Sequence, residues 1–255
     1  MLKSGLVSVS FRSLPPEEIV RLAAGCGLGA IEWGGDVHVP PGDIANAARV
    51  GEMTRAAGLA VSSYGSYYRL GAYGDGYGDV FSGVLRTAAA LGAPVVRLWA
   101  GRQGSAQTPE ETRRRLTEEA VALGGLAKKA GVAAAFECHG DTLTDRFDSA
   151  LRLMADTAPA GLGMYWQPNQ RYDHAYNLAA ARALMPYTRV LHVFNWPDPA
   201  TRAPLAEARE PWLSYLSAAA ADGADRYCLL EFMPDDDPRS LPAEAAALND
   251  MLSSL

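Results

Sequence analysis

Short β-rich runs and longer amphipathic stretches alternate along the whole chain, and this alternation predicts the order of its secondary structure. The predicted strands lie near residues 5–11, 29–34, 60–65, 94–100, 133–138, 162–167, 188–195 and 227–232. The predicted helices lie near residues 13–25, 43–57, 77–92, 109–130, 145–156, 175–185, 209–222 and 240–254. Eight strands that alternate with eight helices favour an α/β fold, a closed parallel (β/α)8 TIM barrel. We expect one domain over residues 1–255.

The alternative at this stage is a doubly wound open sheet, which usually has fewer strands. The first strand-to-helix turn lacks the Gly-x-Gly-x-x-Gly phosphate fingerprint of such sheets. A chain of 255 residues also fits a single barrel, which typically needs about 250 residues. Helix ends are marked by Gly131, Gly161 and Gly223, and Thr108-Pro-Glu-Glu predicts a helix start with Thr108 as its cap.

Composition narrows the class of protein and of partner. Apolar residues make up 49% of the chain, which is enough for a core, and the net charge of -6 argues against nucleic acid and anionic membranes as partners. Three widely spaced cysteines without a Cys-x-x-Cys pair indicate reduced thiols. Because we see no signal peptide and no membrane-spanning run, we expect a cytoplasmic protein.

Four polar side chains each end a separate predicted strand. They are Glu137, Gln167, His192 and Glu231, which stand 30, 25 and 39 residues apart, about one strand-plus-helix unit each. Strand ends that recur at this spacing meet at one rim of a β/α barrel, where such barrels place their active sites. Two carboxylates, an imidazole and an amide that converge there predict a site for a divalent metal ion.

The residues that precede these side chains support this interpretation. Alternate side chains of a strand point the same way, so Glu137 shares a face with Ala135 and Ala133. By the same rule His192 shares a face with Val190, and Glu231 shares one with Leu229. Small and apolar residues below a single polar group are typical of a barrel interior that ends in a site. The alternative, that these are solvated carboxylates at strand ends, is harder to maintain for four successive strands.

The chain resembles the xylose-isomerase-like TIM barrels, which include sugar phosphate isomerases and epimerases, ketose 3-epimerases, and inosose isomerases and dehydratases. Phe136-Glu137-Cys138-His139-Gly140 is similar to the Glu-x-His-Gly segment of that family, and Leu191-His192-Val193 is similar to its His-x-Lys segment. Arg97-Leu-Trp-Ala-Gly101 looks like its fourth strand. The resemblance spans the whole chain, and its specificity comes from the order and spacing of short motifs.

The resemblance implies a metal-dependent enzyme with a small carbohydrate substrate. The ion would be Mn²⁺ or Mg²⁺, with Co²⁺ and Zn²⁺ as further candidates, and it would be held by Glu137, Gln167, His192 and Glu231. It would polarise a carbonyl and acidify the neighbouring C–H bond. Glu137 and Glu231 would then be the catalytic base and acid, with an enediolate between the two half-reactions. The resemblance also implies a homodimer or a homotetramer.

Two positions depart from the pattern of this family. Gln167 stands where the family usually has aspartate, so the ligand set has one negative charge fewer, and we expect weaker metal binding but a more strongly polarising ion. The alternative at this position is that the site has lost its metal and binds sugar through hydrogen bonds alone. Phe194 stands where many relatives have lysine, and its presence weakens the case for a phosphorylated substrate.

Further residues near the predicted rim are candidates for substrate binding. The substrate-binding candidates are His139, Glu32, Trp99, Asn169 and Trp196. We expect Arg97 to point into the barrel and pair with an acid, as a structural residue. The thiol of Cys138 should pack outward against a helix, one residue away from the ligand face.

Three functions remain open from the sequence. The first is a metal-dependent isomerase or epimerase acting on a small keto sugar or an inositol-type substrate. The second is a lyase on the same scaffold, a dehydratase or an eliminase that acts on a keto sugar or keto-glycoside. The third is a catalytically silent barrel that binds a sugar or a partner, and the missing aspartate is the reason to consider it.

Overall fold

A computed structural model of the protein describes residues 1–198 and 200–255 and forms a closed barrel of eight parallel strands surrounded by helices. The strands are β1 (Leu2–Val7), β2 (Ala30–Gly34), β3 (Ala60–Gly65), β4 (Val95–Leu98), β5 (Ala133–Glu137), β6 (Gly163–Trp166), β7 (Thr188–Val193) and β8 (Arg226–Leu230). The long helices are α1 (Pro16–Gly25), α2 (Ile44–Ala56), α3 (Tyr77–Leu91), α4 (Glu110–Lys129), α5 (Phe147–Thr157), α6 (His174–Leu184), α7 (Arg209–Ala220) and α8 (Leu241–Ser253). The predicted (β/α)8 barrel is therefore confirmed.

Two separate apolar layers hold the barrel together. The larger layer lies between the strands and the surrounding helices. A smaller cluster fills the inside of the barrel with Val7, Val9, Val95, Ala135, Tyr165, Val190 and Leu229. Ala135, Val190 and Leu229 of this inner cluster stand two residues before Glu137, His192 and Glu231, as the alternation along the strands predicted. The inside of the barrel is therefore filled with apolar side chains, and Glu137, His192 and Glu231 lie above this cluster.

The first strand is the main correction to the predicted boundaries. It was expected at residues 5–11, but β1 covers Leu2–Val7, and residues Ser8–Phe11 form a short 3-10 helix. Buried apolar side chains continue through both elements, so their pattern alone did not mark the end of the strand. Thr108 is a smaller correction: its hydroxyl donates to the carbonyls of Gln103 and Gly104, and it does not cap α4.

Positive φ angles confirm the three glycines predicted at helix ends. The φ angles are 70° at Gly131, 91° at Gly161 and 70° at Gly223. This left-handed conformation is strained for residues with a Cβ atom, which is why glycine ends these helices. Among the described helices, none combines the length and the apolar composition that a membrane span requires.

Candidate active site

Four side chains meet at the carboxyl-terminal rim of the barrel, and we call Glu137, Gln167, His192 and Glu231 the ligand cluster. The Nδ1 atom of His192 lies 3.1 Å from Gln167 Oε1, 3.5 Å from Glu137 Oε1 and 3.4 Å from Glu231 Oε2. The ligand atoms of the two glutamates and the histidine all lie within 4.8 Å of one another, and all three residues are buried. The structure thus brings together the four residues that the sequence predicted as a metal site.

The strands explain this convergence. Glu137 is the last residue of β5, Gln167 and Glu231 directly follow β6 and β8, and His192 is the last but one residue of β7. β7 and β8 pair in parallel, and this pairing aligns His192 with Leu229. Glu231 stands two residues after Leu229, at the next position along the chain that faces the inside of the barrel. These side chains lie above the apolar cluster inside the barrel. Their positions are therefore fixed by the sheet and not by flexible loops.

Arg97 lies inside the barrel beside the two glutamates of the ligand cluster. Its Nε atom is 3.4 Å from Glu137 Oε2, and its terminal NH1 atom is 4.0 Å from Glu231 Oε1. Each glutamate therefore turns one oxygen toward His192 and the other toward Arg97. The expected pairing of Arg97 with an acid is confirmed, but its place is within the site itself.

Glu32 lies behind His192, away from the ligand cluster. Its Oε1 atom is 3.5 Å from His192 Nε2 and 3.5 Å from Arg97 NH1, and Ser63 donates a hydrogen bond of 2.6 Å to Oε2. Glu32 is fully buried and does not line the cavity above the cluster. This place differs from the substrate contact expected from the sequence. Glu32 faces the nitrogen of His192 that points away from the ligand cluster.

The buried charges in this region influence one another strongly. Burial lowers the pKa of His192, but the carboxylates of Glu231 and Glu32 outweigh burial and raise that pKa well above its ordinary value. Burial raises the pKa of Glu137, but the guanidinium of Arg97 and the ring of His192 outweigh it and lower that pKa far below its ordinary range. A positive charge is therefore favoured beside these carboxylates, and Glu137 is ionised.

The residues present fit a divalent metal ion. Three buried glutamates face one arginine, so the region carries a net negative charge of two when His192 is neutral, and a divalent ion would neutralise it. Two metal–ligand bonds of about 2.1 Å at a right angle place their donor atoms about 3 Å apart. The 3.1–3.5 Å separations of the three oxygens from Nδ1 are close to that value. Oxygen and imidazole donors suit Mn²⁺, Mg²⁺ and related ions.

A cavity of about 390 Å³ opens above the ligand cluster. Trp99, His139 and Trp196 line it, as the sequence predicted for residues at the rim. Trp99 donates its indole N–H to Glu137 Oε2, and its ring lies 5.2 Å from the ring of His139. Since Nδ1 of His139 lies 2.7 Å from the carbonyl oxygen of Gly140, this nitrogen carries the proton in the neutral ring.

Asn169 also lines the cavity, but its amide already makes two hydrogen bonds within the protein. Its Nδ2 atom donates to the carbonyl of Asp145 at 3.0 Å, and its Oδ1 atom accepts from the backbone N–H of Arg171 at 3.0 Å. The side chain therefore connects the loops that follow β5 and β6. It shapes the wall of the cavity, and a direct bond to substrate would break contacts that it already makes.

Phe232 is a feature of the site that sequence reasoning missed. It follows Glu231 directly and has a φ of 54°, a strained value for an aromatic residue. The ring lies 5.6 Å from that of Trp196, and the guanidinium of Arg202 lies 4.7 Å from its centre. Only a residue-by-residue view of the backbone could have found it, because nothing in the local sequence marks the turn.

The comparison with protein families decides the classification. The model of the xylose isomerase-like TIM barrel family matches residues 20–252. The chain belongs to this family. The resemblance noted from the sequence is therefore confirmed.

Solved structures of other proteins share the fold of this xylose isomerase-like barrel. A probable 3-DHS dehydratase involved in petrobactin synthesis in Bacillus anthracis is 20% identical, with 98% of this chain and 99% of that chain covered and a TM-score of 0.79. An L-ribulose 3-epimerase is 14% identical, with 100% and 95% covered and a TM-score of 0.77. A xylose isomerase-like protein from Mycobacterium smegmatis in complex with magnesium is 15% identical, with 99% and 97% covered and a TM-score of 0.71. No curated protein has significant sequence similarity to this chain.

Proposed function

We propose that this protein is a divalent-metal-dependent isomerase or epimerase that moves a proton on a carbon beside the carbonyl of a small keto sugar or inositol-type substrate. The observation that carries the proposal is the ligand cluster, in which three oxygens at the ends of β5, β6 and β8 lie 3.1–3.5 Å from Nδ1 of His192. Epimerase and dehydratase neighbours with the same fold agree with this class of chemistry.

Mn²⁺ or Mg²⁺ would be held by Glu137, Gln167, His192 and Glu231. A bound ion supplies Lewis-acid polarisation of the carbonyl, which acidifies the neighbouring C–H bond. The amide of Gln167 contributes an oxygen without a charge. Arg97 faces the second oxygen of both glutamates and compensates a further part of their negative charge.

Glu137 and Glu231 carry out the proton transfer in this proposal. Glu137 and Glu231 approach the cluster from different strands, and both line the cavity. Glu137 is kept ionised by Arg97 and accepts the indole N–H of Trp99, which fixes the direction of its carboxylate. The ionised Glu137 removes the proton from the substrate carbon, and in an isomerisation it returns this proton to the neighbouring carbon. In an epimerisation Glu231 delivers to the opposite face a proton that it has taken from the solvent, and Glu137 then releases its proton to the solvent.

A lyase on the same site is the second candidate, and one observation favours it. The protonated Nδ1 of His139 is bonded to Gly140, so in the neutral ring Nε2 is the acceptor nitrogen, and this ring lines the cavity. When protonated, His139 could give a proton to a departing hydroxyl or alkoxide, which would convert proton abstraction into β-elimination. The fold shared with a probable dehydratase agrees with this candidate.

The test is exchange of a carbon-bound proton in D₂O with metal-loaded protein over a panel of keto sugars and inosose-type ketones. We expect deuterium in the recovered substrate or its isomer, and loss of exchange in Glu231→Gln and after removal of metal by a chelator. The matched control is Glu210→Gln, the same change at an exposed glutamate of α7. A product lighter by water or an aglycone would identify the lyase. Binding without exchange or elimination over the whole panel would indicate a silent sugar-binding barrel.

A further inference from the structure

The cavity above the ligand cluster does not end at the barrel mouth. Its lining continues sideways between the loops that follow β5 and β6 to residues that face helices α5 and α6. We call this extension the side lobe. Its apolar lining consists of Cys138, Phe147, Trp166, Tyr176, Ala180 and Leu184.

Chain geometry explains why the side lobe adjoins the ligand cluster. Cys138 follows Glu137, and Trp166 precedes Gln167, so along β5 and β6 a residue that faces the helices stands next to one that faces the cluster. Ala180 and Leu184 are four residues apart on α6 and share its inner face. Ala180 is small, and together with the buried Leu184 it forms the α6 wall of the side lobe.

Two polar side chains at the border of the side lobe, Asn177 and Tyr176, already have partners. The amide of Asn177 donates to the carbonyls of Asn169, Tyr172 and Asp173, and its oxygen accepts from the N–H of Asn169. The hydroxyl of Tyr176 accepts from the N–H of Phe147. Cys138 packs against the apolar cluster between the strands and the helices. The side lobe therefore offers apolar contacts.

A sugar ring alone does not suit such a surface. Hydroxyl groups placed against its apolar side chains would lose their bonds to water without gaining partners there, at a cost of roughly 1–3 kcal/mol each. An aromatic ring would instead meet Phe147, Trp166 and Tyr176, for which offset or edge-to-face contacts are favourable. A cavity of about 390 Å³ also lies within the range of about 300–1,000 Å³ that takes ligands of drug size.

We propose that the side lobe binds an aryl group attached to the substrate, so that the natural substrate is an aryl-substituted keto sugar with its carbonyl at the ligand cluster. This inference rests on the proposed function, because it assumes that the keto sugar occupies the cluster. It adds a recognition element outside the ligand set. The aryl group contributes binding energy remote from the reacting carbon, which aligns the carbonyl at the cluster.

The experiment compares two ligands of the metal-loaded protein by calorimetry. One is a hexose with its ketone at a ring carbon other than the anomeric carbon, and the other is the phenyl glycoside of the same keto sugar. We expect the phenyl glycoside to bind at least tenfold more tightly. Ala180→Leu fills the side lobe and should remove most of this preference. Ala179→Leu makes the same change at the adjacent exposed position of α6 and should retain it.

A second variant keeps the proposal testable if Ala180→Leu does not fold. Leu184→Ala enlarges the side lobe, and we expect the naphthyl glycoside to gain affinity relative to the phenyl glycoside. Equal affinities of the keto sugar and its phenyl glycoside, or a preference unchanged in Ala180→Leu, would overturn the side lobe as an aryl site. The proposed function has its own readout, because exchange of the unsubstituted keto sugar in D₂O does not require the lobe.

Discussion

Glu32 Oε1 lies 3.5 Å from His192 Nε2, on the side of the imidazole that faces away from the ligand cluster. Both atoms are buried and have no hydrogen-bond partner among the described residues. A histidine that offers Nδ1 to a metal carries its proton on Nε2, so Glu32 is the group placed to accept that proton. It can thereby fix both the tautomer and the orientation of the ring.

The first prediction concerns this pair. Glu32→Gln keeps the size of the side chain but removes the negative charge behind His192. We expect metal affinity to fall by about 10- to 100-fold, as is typical when the partner of a metal-binding histidine is removed. Titration calorimetry with Mn²⁺ measures the change directly and does not depend on turnover.

The matched control is Glu244→Gln, because Glu244 is also buried but lies on α8 and accepts from the backbone N–H of Leu205. Its metal affinity should equal that of the unchanged protein. A Glu32→Gln variant that bound Mn²⁺ as tightly as this control would remove Glu32 from the orienting role.

The second prediction concerns the amide in the ligand cluster. Gln167→Glu retains the length of the side chain and adds a carboxylate at the position of Oε1. Since charges about 4 Å apart interact by about 4 kcal/mol at an effective dielectric constant of about 20, we expect metal affinity to rise by tenfold or more. Gln170→Glu adds the same charge three residues along the loop and is the control. If both variants bound metal equally well, Gln167 would not be a ligand.

The third prediction separates the hydrogen bond of Trp99 from its ring. Trp99→Phe retains an aromatic ring beside Tyr67 and His139 but removes the N–H that is donated to Glu137. A hydrogen bond to a charged group contributes about 1.5–3 kcal/mol, so the rate of proton exchange should fall by at least about tenfold. This rate is measured on samples that are quenched at successive times after transfer into D₂O.

Trp196→Phe is the comparison for this variant, because the indole N–H of Trp196 is buried and has no partner among residues 1–198 and 200–255. The same atoms are removed there without the loss of a hydrogen bond, and the fall in rate should be smaller. Equal losses in the two variants would indicate that only the size of the ring matters.

The fourth prediction concerns stability away from the site. Arg226 is buried at the start of β8 and donates to the carbonyls of Thr188, Ala219 and Met185 and to both oxygens of Asp222. Arg226→Met leaves three carbonyl groups without this donor, each at a cost of about 1–3 kcal/mol. We expect the free energy of unfolding to fall by about 3 kcal/mol or more in urea titrations. Arg86→Met, at an exposed position of α3, should change it little.

The barrel and the ligand cluster could be predicted from the sequence because both follow from local periodicity. Strand ends at intervals of one βα unit must meet at one rim, whatever the details of packing, and this rule brings Glu137, Gln167, His192 and Glu231 together. Alternation within each strand also identified the inner faces of β5, β7 and β8. These inferences need no knowledge of the register between strands.

The positions of Glu32 and Arg97 could not be predicted in the same way. The stagger between strands decides whether an inward-facing residue lies level with the ligand cluster or beneath it. Between β2 and β3 the register shifts at Ile31 and Glu32. Glu32 lies directly at this irregularity. The hydrogen bonds of Asn169 depend on the approach of two loops, which no periodic pattern encodes.

The last prediction concerns Gly65, the final residue of β3. A Cβ atom built there would lie 2.8 Å from Glu32 Oε1 and 3.4 Å from the NH2 atom of Arg97, so only glycine leaves room for this buried pair. Gly65→Ala should displace Glu32, lower the free energy of unfolding by about 1–3 kcal/mol and weaken Mn²⁺ binding in the same direction as Glu32→Gln.

Gly25→Ala is the control for this change, because Gly25 is the last residue of α1 and, outside its own helix and its chain neighbours, no heavy atom of the described residues lies within 4 Å of the added Cβ atom. We expect it to be neutral or to stabilise the helix by up to about 1 kcal/mol. Combining Gly65→Ala with Glu32→Gln provides a further check. If the glycine acts by making room for Glu32, the loss of Mn²⁺ affinity in the double variant should be clearly less than the sum of the two single losses. Fully additive losses would mean that Gly65 and Glu32 affect the metal site independently.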